Sequence, residues 1–288
     1  MIINAIHWNI DPVMFNIGSF GLRYYSLGFL IAFVLGYYII YRMFKHEGVN
    51  LKYLDSLIVY IFLAVLIGAR LGHCLFYEPD YFCTSEHWVE IFWPFHNGHF
   101  TGFQGLASHG AAIGIITAMW LYWKRYKLNA WWFFDRLVIV VALGGAFIRL
   151  GNLFNSEIYG VETTLPWGFV FERNGETVPK HPTQLYESFS YLIIFAVSLW
   201  YYIRKKGQFK TGTIFGWWLV ALFGVRLLIE FVKNDQVDFE AGMALNMGQL
   251  LSIPFIVGGL VIAWLAAKEK FPQGAFPWGE VTEKTKKK

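Results

Sequence analysis

Five arginines stand inside stretches that are otherwise apolar: Arg23, Arg70, Arg136, Arg149 and Arg226. A guanidinium in hydrocarbon is expensive unless an anion meets it, so each is either paired within the protein or held ready for an anionic ligand. Arg136 adjoins Asp135 near one end of its stretch and reads as an anchor at a membrane interface. Arg226 has Glu230 four residues on, on the same helical face, and this pair reads either as internally satisfied or as part of a site. Arg70 has no acid within a turn, and Arg149 has only Glu157, two turns away, so for these two the anion has to come from elsewhere. A lipid phosphate suits them, because the planar guanidinium grips phosphate through two parallel hydrogen bonds.

Further polar residues follow the same faces. Arg149, Asn152 and Ser156 recur at helical spacing, followed by Asn155 and Glu157, while Arg70, His73 and Tyr77 make a second stripe, as if each lined a cavity. Tyr24 and Tyr25, His109 in LASHGAAIG, and His181, Gln184, Tyr186 and Glu187 in KHPTQLYE lie at the ends of apolar stretches, with Pro182 suited to a first helical turn. The tyrosines also read as an interfacial belt, and each histidine as an ordinary hydrogen-bonding residue at a helix end. HExxH, GxSxG and P-loop patterns are absent, and His73, His109 and His181 come from separate stretches without ligand spacing, so neither metal nor cofactor is expected. Cys74 and Cys83 form neither a CxxC pair nor a disulfide framework. With no obvious nucleophile in the protein, any chemistry must use one that the substrate brings.

The elements that position these residues are membrane helices. The 288 residues are 56% hydrophobic and only 15% charged, against about 25% charged in soluble domains. The net charge of +4 is too small and too dispersed for a nucleic-acid surface. Seven stretches approach the roughly 20 apolar residues that a crossing needs, at 20–44, 55–77, 109–123, 131–154, 184–203, 211–232 and 247–267. The third is short and follows Gly102, Gly105 and Ser108. Of the cations in the connections and tail, 16 fall on one side and only Arg173, Lys180 and Lys233 on the other, which places the N-terminus outside and the C-terminus in the cytoplasm. The first twenty residues hold no Lys or Arg, so they read as retained rather than as a cleaved signal. The expectation is an all-α polytopic membrane protein with one seven-helix domain over 1–268, outer loops at 78–108 and 156–183, and a basic cytoplasmic tail over 269–288. At about 1.5 Å per residue, Arg70, Arg149 and Arg226 then share a depth of roughly 10 to 13 Å below the outer surface.

Several of these segments are familiar. IRLGNLFNSEIYG at 148–160, SHGAAIG at 108–114, KHPTQLYE at 180–187, GVRLLIEF at 224–231 and MGQLLSIP at 247–254 closely resemble the bacterial prolipoprotein diacylglyceryl transferases. The likeness runs in order from RYYSLGF at 23–29 to Pro254. It implies a seven-span inner-membrane enzyme that moves the diacylglyceryl group of phosphatidylglycerol onto the lipobox cysteine of a preprolipoprotein, forming a thioether and releasing glycerol phosphate. By that resemblance Arg149 and Arg226 match essential arginines, His109 matches the proposed general base, and Tyr25, Asn152, Glu157 and Gly160 match further functional positions. Arg70, His181, Gln184 and Glu230 complete the expected substrate-binding set. Ile148 and Ser156 stand where the signature usually has glycine, and Leu222 stands where tyrosine is expected.

Another reading of the arginines is a transporter or flippase for anionic phospholipids. A flippase needs polar residues along the whole crossing, whereas LGFLIAFVLGYYII and LVIVVAL, on the cytoplasmic side, are almost wholly apolar.

Overall fold

Residues 5–17, 20–76, 78–82, 88–91, 93, 95–96, 99–100, 108–234 and 245–276 are described by the computed structural model, which is mostly helical. Its helices are α1 Tyr24–Glu47, α2 Lys52–Phe76, the one-turn α3 Pro79–Phe82, α4 Ser108–Tyr126, α5 Ala130–Phe154, α6 Thr183–Arg204, α7 Thr213–Ile229 and α8 Met247–Ala267. Five of them, α1, α2, α5, α8 and α7 continued to Val232, are long and apolar enough to cross a membrane. The remaining long ones carry polar ends: α4 finishes on Lys124 and Arg125, and α6 opens on Gln184, Glu187 and Ser188.

Short strands supplement the helices. β1 (Ile6–Trp8) pairs in parallel with β6 (Phe169–Phe171), β2 (Val13–Ile17) is antiparallel to β3 (Phe20–Arg23), and β4 (Phe95–His96) is antiparallel to β5 (His99–Phe100). The β2–β3 hairpin moves the start of α1 from residue 20 to Tyr24, whose N–H donates to the Pro12 carbonyl at 3.1 Å. Extended pairing here satisfies backbone groups that would otherwise lie ahead of the helix without partners.

The chain forms two compact units. The first holds the described residues up to Met43 and those from Ala130 onward. In it, α1 approaches α5 through Gly28 against Phe147, Gly36 against Val140 and Tyr25 against Gly151. Helices α5 and α6 meet where Tyr191 covers Gly145 and the Ser188 hydroxyl donates to the Ala146 carbonyl. Helices α7 and α8 touch backbone to backbone at Gly216, Gly259 and Ala263. The fully buried Asp135 accepts the N–H groups of Gly212 at 2.7 Å and Phe215 at 2.9 Å, tying α5 to the start of α7.

Arg136 is enclosed by the protein rather than exposed at its surface. It is buried over the rings of Trp132, Phe209 and Tyr202 and donates to the carbonyls of Trp132 and Gly207, while Asp135 lies 4.0 Å away, engaged with α7. A flat cation satisfied by π faces and carbonyls has no need of the water at the membrane edge.

The second unit holds the described residues of Phe44–Asn129. Ala64, Gly68 and Gly72 of α2 lie against Gly110 and Gly114 of α4, and a Cβ on Gly68 would come within 2.5 Å of the Gly110 carbonyl oxygen. Small residues four apart let two helices approach to backbone contact. We predict that Gly68→Val costs about 1 to 3 kcal/mol, the usual scale of overpacking, whereas Gly258→Ala, with nothing within 4 Å of the new methyl, is tolerated. Thermal unfolding of the two purified variants in detergent checks the contrast.

Candidate active site

A ladder of alternating charge runs through the first unit. Arg149 Nε of α5 lies 2.7 Å from Glu187 Oε2 of α6. Glu187 Oε1 is 3.6 Å from Lys233 Nζ, Lys233 Nζ is 3.1 Å from Glu230 Oε1, and Glu230 Oε1 is 3.6 Å from Arg226 Nε of α7. Three cations thus share two carboxylates, and Glu187 is fully buried. Local sequence had offered Arg149 only Glu157, but its ion partner is Glu187, on another helix. Lys233, which reads as a loop cation in sequence, is buried with them.

Each rung is held by local structure. α5 ends at Phe154, so Ser156 does not continue the stripe of Arg149 and Asn152. Instead the Ser156 N–H returns to the Leu153 carbonyl and the Glu157 N–H to the Asn152 carbonyl. This is a Schellman cap whose turning residue, Ser156, has φ of +55°. Glycine adopts that conformation without strain, whereas a serine here carries the cost of a left-handed backbone. The cap swings Glu157 back to accept from Asn152 Nδ2 at 2.7 Å and Asn155 Nδ2 at 3.2 Å, while Asn152 Oδ1 accepts from Arg149 at 3.2 Å. Gln184 donates to the Glu157 carbonyl at 2.7 Å.

Gly160 pairs with Lys233 through a backbone bridge and donates its N–H to the His181 carbonyl. A Cβ at Gly160 would strike the Val232 carbonyl oxygen, so glycine is what lets this strand bring Lys233 inward. Asn246 caps α8 through a reciprocal box with Gln249 and also donates to Glu230 Oε2 at 3.3 Å. The Glu230 carboxylate therefore sits at the positive end of a helix, beside Gly248. With Lys233 nearer than Arg226, Glu230 is neutralised without Arg226, whose side chain is 35% exposed against 16% for Arg149. Arg226 is thus the cation that an incoming anion meets most readily.

Polar capacity is left over around the ladder. Both Glu187 oxygens, Arg226 Nε, Gln184 Oε1 and Ser156 Oγ are buried without an aligned hydrogen bond among the described residues. Buried polar atoms of this kind call for water or a ligand. His181 contacts the Tyr186 hydroxyl at 3.1 Å, and burial lowers its pKa below the usual histidine value.

Tyr25 lies against Gly151 in the first unit, and the expected site residues that remain belong to the second unit. Arg70 is buried, donates to the Ile91 carbonyl at 3.0 Å and lies over the Phe82 ring at 4.7 Å. His73 is 3.4 Å from Glu78. His109 falls in the first turn of α4, and its side chain lies outside the described residues, as do Tyr77 and Cys83.

A family model described as prolipoprotein diacylglyceryl transferase matches residues 12–265. The chain belongs to that family. Proteins named phosphatidylglycerol–prolipoprotein diacylglyceryl transferase are similar to it along nearly their whole length. The one from Bacteroides fragilis is 41% identical over 270 residues, covering 92% of this chain and 97% of the relative. That of Tolumonas auensis is 42% identical over 266 residues, covering 92% and 99%, and that of Porphyromonas gingivalis is 41% identical over 283 residues, covering 93% and 97%.

Within this transferase family framework, sequence reasoning left Glu187 and Lys233 without roles. Glu187 was discoverable, because an acid three residues after Gln184 in an apolar helix needs a cation as much as Arg149 needs an anion. Lys233 was not, because it sits just past the apolar stretch.

We predict that Glu187→Gln destabilises the protein by about 3 to 5 kcal/mol, since it strands Arg149 beside a neutral group of the same shape while Lys233 keeps Glu230. Denaturation in detergent measures this. The lowered pKa of His181 makes a separate prediction. The unfolded chain takes up a proton near pH 6.5 that the folded chain refuses until lower pH, so this residue subtracts stability as pH falls below about 6.5. Melting temperatures between pH 7.5 and 5.5 should fall less steeply in His181→Gln than in the wild type.

Proposed function

We propose that this chain transfers the diacylglyceryl group of phosphatidylglycerol to the thiol of the lipobox cysteine in preprolipoproteins, the first step of bacterial lipoprotein maturation. Membership of the transferase family supports the reaction. The observation that carries the site is the charge of the ladder: three cations against two carboxylates leave one positive charge among apolar helices. An anionic phosphate completes that count.

The substrate thiol, with an ordinary pKa of about 8.5, must lose its proton to attack. His109 takes this proton. The sulfur then bonds to the glycerol carbon that carries the phosphate, the carbon to oxygen bond breaks, and glycerol phosphate departs with an additional negative charge. Arg149 and Arg226 stabilise that charge as it develops, and Glu187, Lys233 and Glu230 keep them aimed without cancelling them. Tyr25, Asn152, Glu157, Gly160, His181, Gln184 and Glu230 form the surrounding lipid and peptide site, and Arg70 serves as a further substrate-binding residue by the resemblance. All seven long helices cross the bacterial inner membrane as one domain over 1–268, with loops at 78–108 and 156–183 outside, the site facing the outer leaflet and the basic tail in the cytoplasm. The excess of cations in the opposite connections supports this orientation.

Purified protein incubated with phosphatidylglycerol and a lipobox peptide should yield a peptide heavier by one diacylglyceryl group, seen by mass spectrometry as a thioether. Arg149→Lys and Arg226→Lys, which keep the charge and lose the planar fork, should lower turnover by about 100- to 1000-fold. Absence of any adduct, together with movement of labelled lipid between leaflets, would replace the transferase reading with that of a flippase.

A further inference from the structure

At the end of α6 and α7 opposite the charge ladder, two cavities adjoin. One, of about 430 Å³, is an apolar trough between these helices, lined by Ile193, Val197, Trp200, Trp217, Trp218 and Ala221. The other, of about 340 Å³, forms its mouth and is lined by Lys205, Gln208 and Lys210. Tyr201, Thr213 and Trp217 belong to both, so the two are continuous.

Length, charge and an unpartnered donor together define an occupant. From Ile193 to Tyr201 the apolar trough follows eight residues of α6, about 12 Å, and the mouth continues it to Lys205, against the roughly 15 Å of half a bilayer's hydrocarbon. It therefore takes most of one acyl chain of one leaflet. Arg204, Lys205, Lys206, Lys210, Lys268 and Lys270 surround the mouth in sequence, with Glu269 as the acid among them. Lys210 Nζ is 3.1 Å from Glu269 and 2.9 Å from the Ala267 carbonyl, while Lys205 is exposed at the mouth. Trp218 is part of the trough wall, and its buried indole N–H has no acceptor among the described residues. Trp218 lies five residues along α7 from Thr213, about 8 Å deeper than the mouth. The ester carbonyl of a lipid follows its phosphate inward in the same way.

We infer that this groove is a second phospholipid site, separate from the ladder, which holds an anionic glycerophospholipid of the leaflet at the lysine end. Its phosphate sits at Lys205 and Lys210, an ester carbonyl accepts from Trp218 Nε1, and one acyl chain fills the trough. This rests on the reading that α6 and α7 cross the bilayer. It does not depend on the transfer reaction.

The test counts lipids retained by the full-length protein in native mass spectrometry, with phosphatidylglycerol or phosphatidylethanolamine added to delipidated sample. It is run in the wild type and in an Arg149→Met/Arg226→Met background that empties the ladder. Lys205→Gln and Lys210→Gln should each weaken one phosphatidylglycerol event about 5-fold, the usual worth of a lysine near an anionic headgroup. The double variant should lose that event in both backgrounds, and where Arg149 and Arg226 are intact it should keep its transfer activity. Ala221→Trp, which fills the trough, should abolish the event, and Trp218→Phe should weaken it. Equal retention of phosphatidylethanolamine would overturn the charge assignment. An unchanged phosphatidylglycerol count in the double lysine variant and in Ala221→Trp would overturn the site itself.

Discussion

A carboxylate sealed among apolar helices has no water to turn to, and Glu187 is in that position: it is held only because Arg149 and Lys233 arrive from two other elements. Taking such ions out of water costs several kcal/mol each, which close pairing returns only when the geometry is right. Much of the first unit serves that geometry. α6 presents Glu187 one turn inside its start, α5 delivers Arg149 just before its end, and the segment after α7 folds Lys233 back. Because the count of cations exceeds that of carboxylates by one, the network that stabilises the bundle also leaves it attractive to an anion.

The irregular backbone at this end is as specific as the helices. Ser156 and Ile158 both have positive φ, and for a β-branched residue such as Ile158 that is a genuine outlier. The cost is tolerated because the turn keeps Glu157 against Asn152 and brings Gly160 against Lys233. Asn246 performs the matching task from α8, combining a helix cap with a hydrogen bond to Glu230. Side chains of the site therefore come from helix ends and the turns that close them, where backbone donors and acceptors are also free to take part.

Arg149, Arg226 and Glu230 were legible in sequence because a charge in an apolar run is conspicuous, and helix positions were legible to within a few residues for the same reason in reverse. Partners were harder. Glu187 is 38 residues from Arg149, and spacing along one helix says nothing about a contact between two. Lys233 looked solvated because it adjoins polar residues. The end of α5 was masked by Ser156, since a serine in the left-handed position lacks the glycine that usually announces a cap. The pairing of β1 with β6 joins segments about 160 residues apart and leaves no local periodicity to read. Family membership followed from ordered motifs, and these carry the chemistry without revealing which side chain holds which.

In the second unit, the contact between α2 and α4 has almost no side-chain layer at Gly68, Gly110 and Gly114. Interfaces built from long side chains can shear, because rotamers readjust as one helix slides over its neighbour. Here carbonyls rest directly on opposing backbone, and any displacement along the axis would lift one helix over the next residue's Cβ. These two helices are consequently a single mechanical part, which can shift only as a pair.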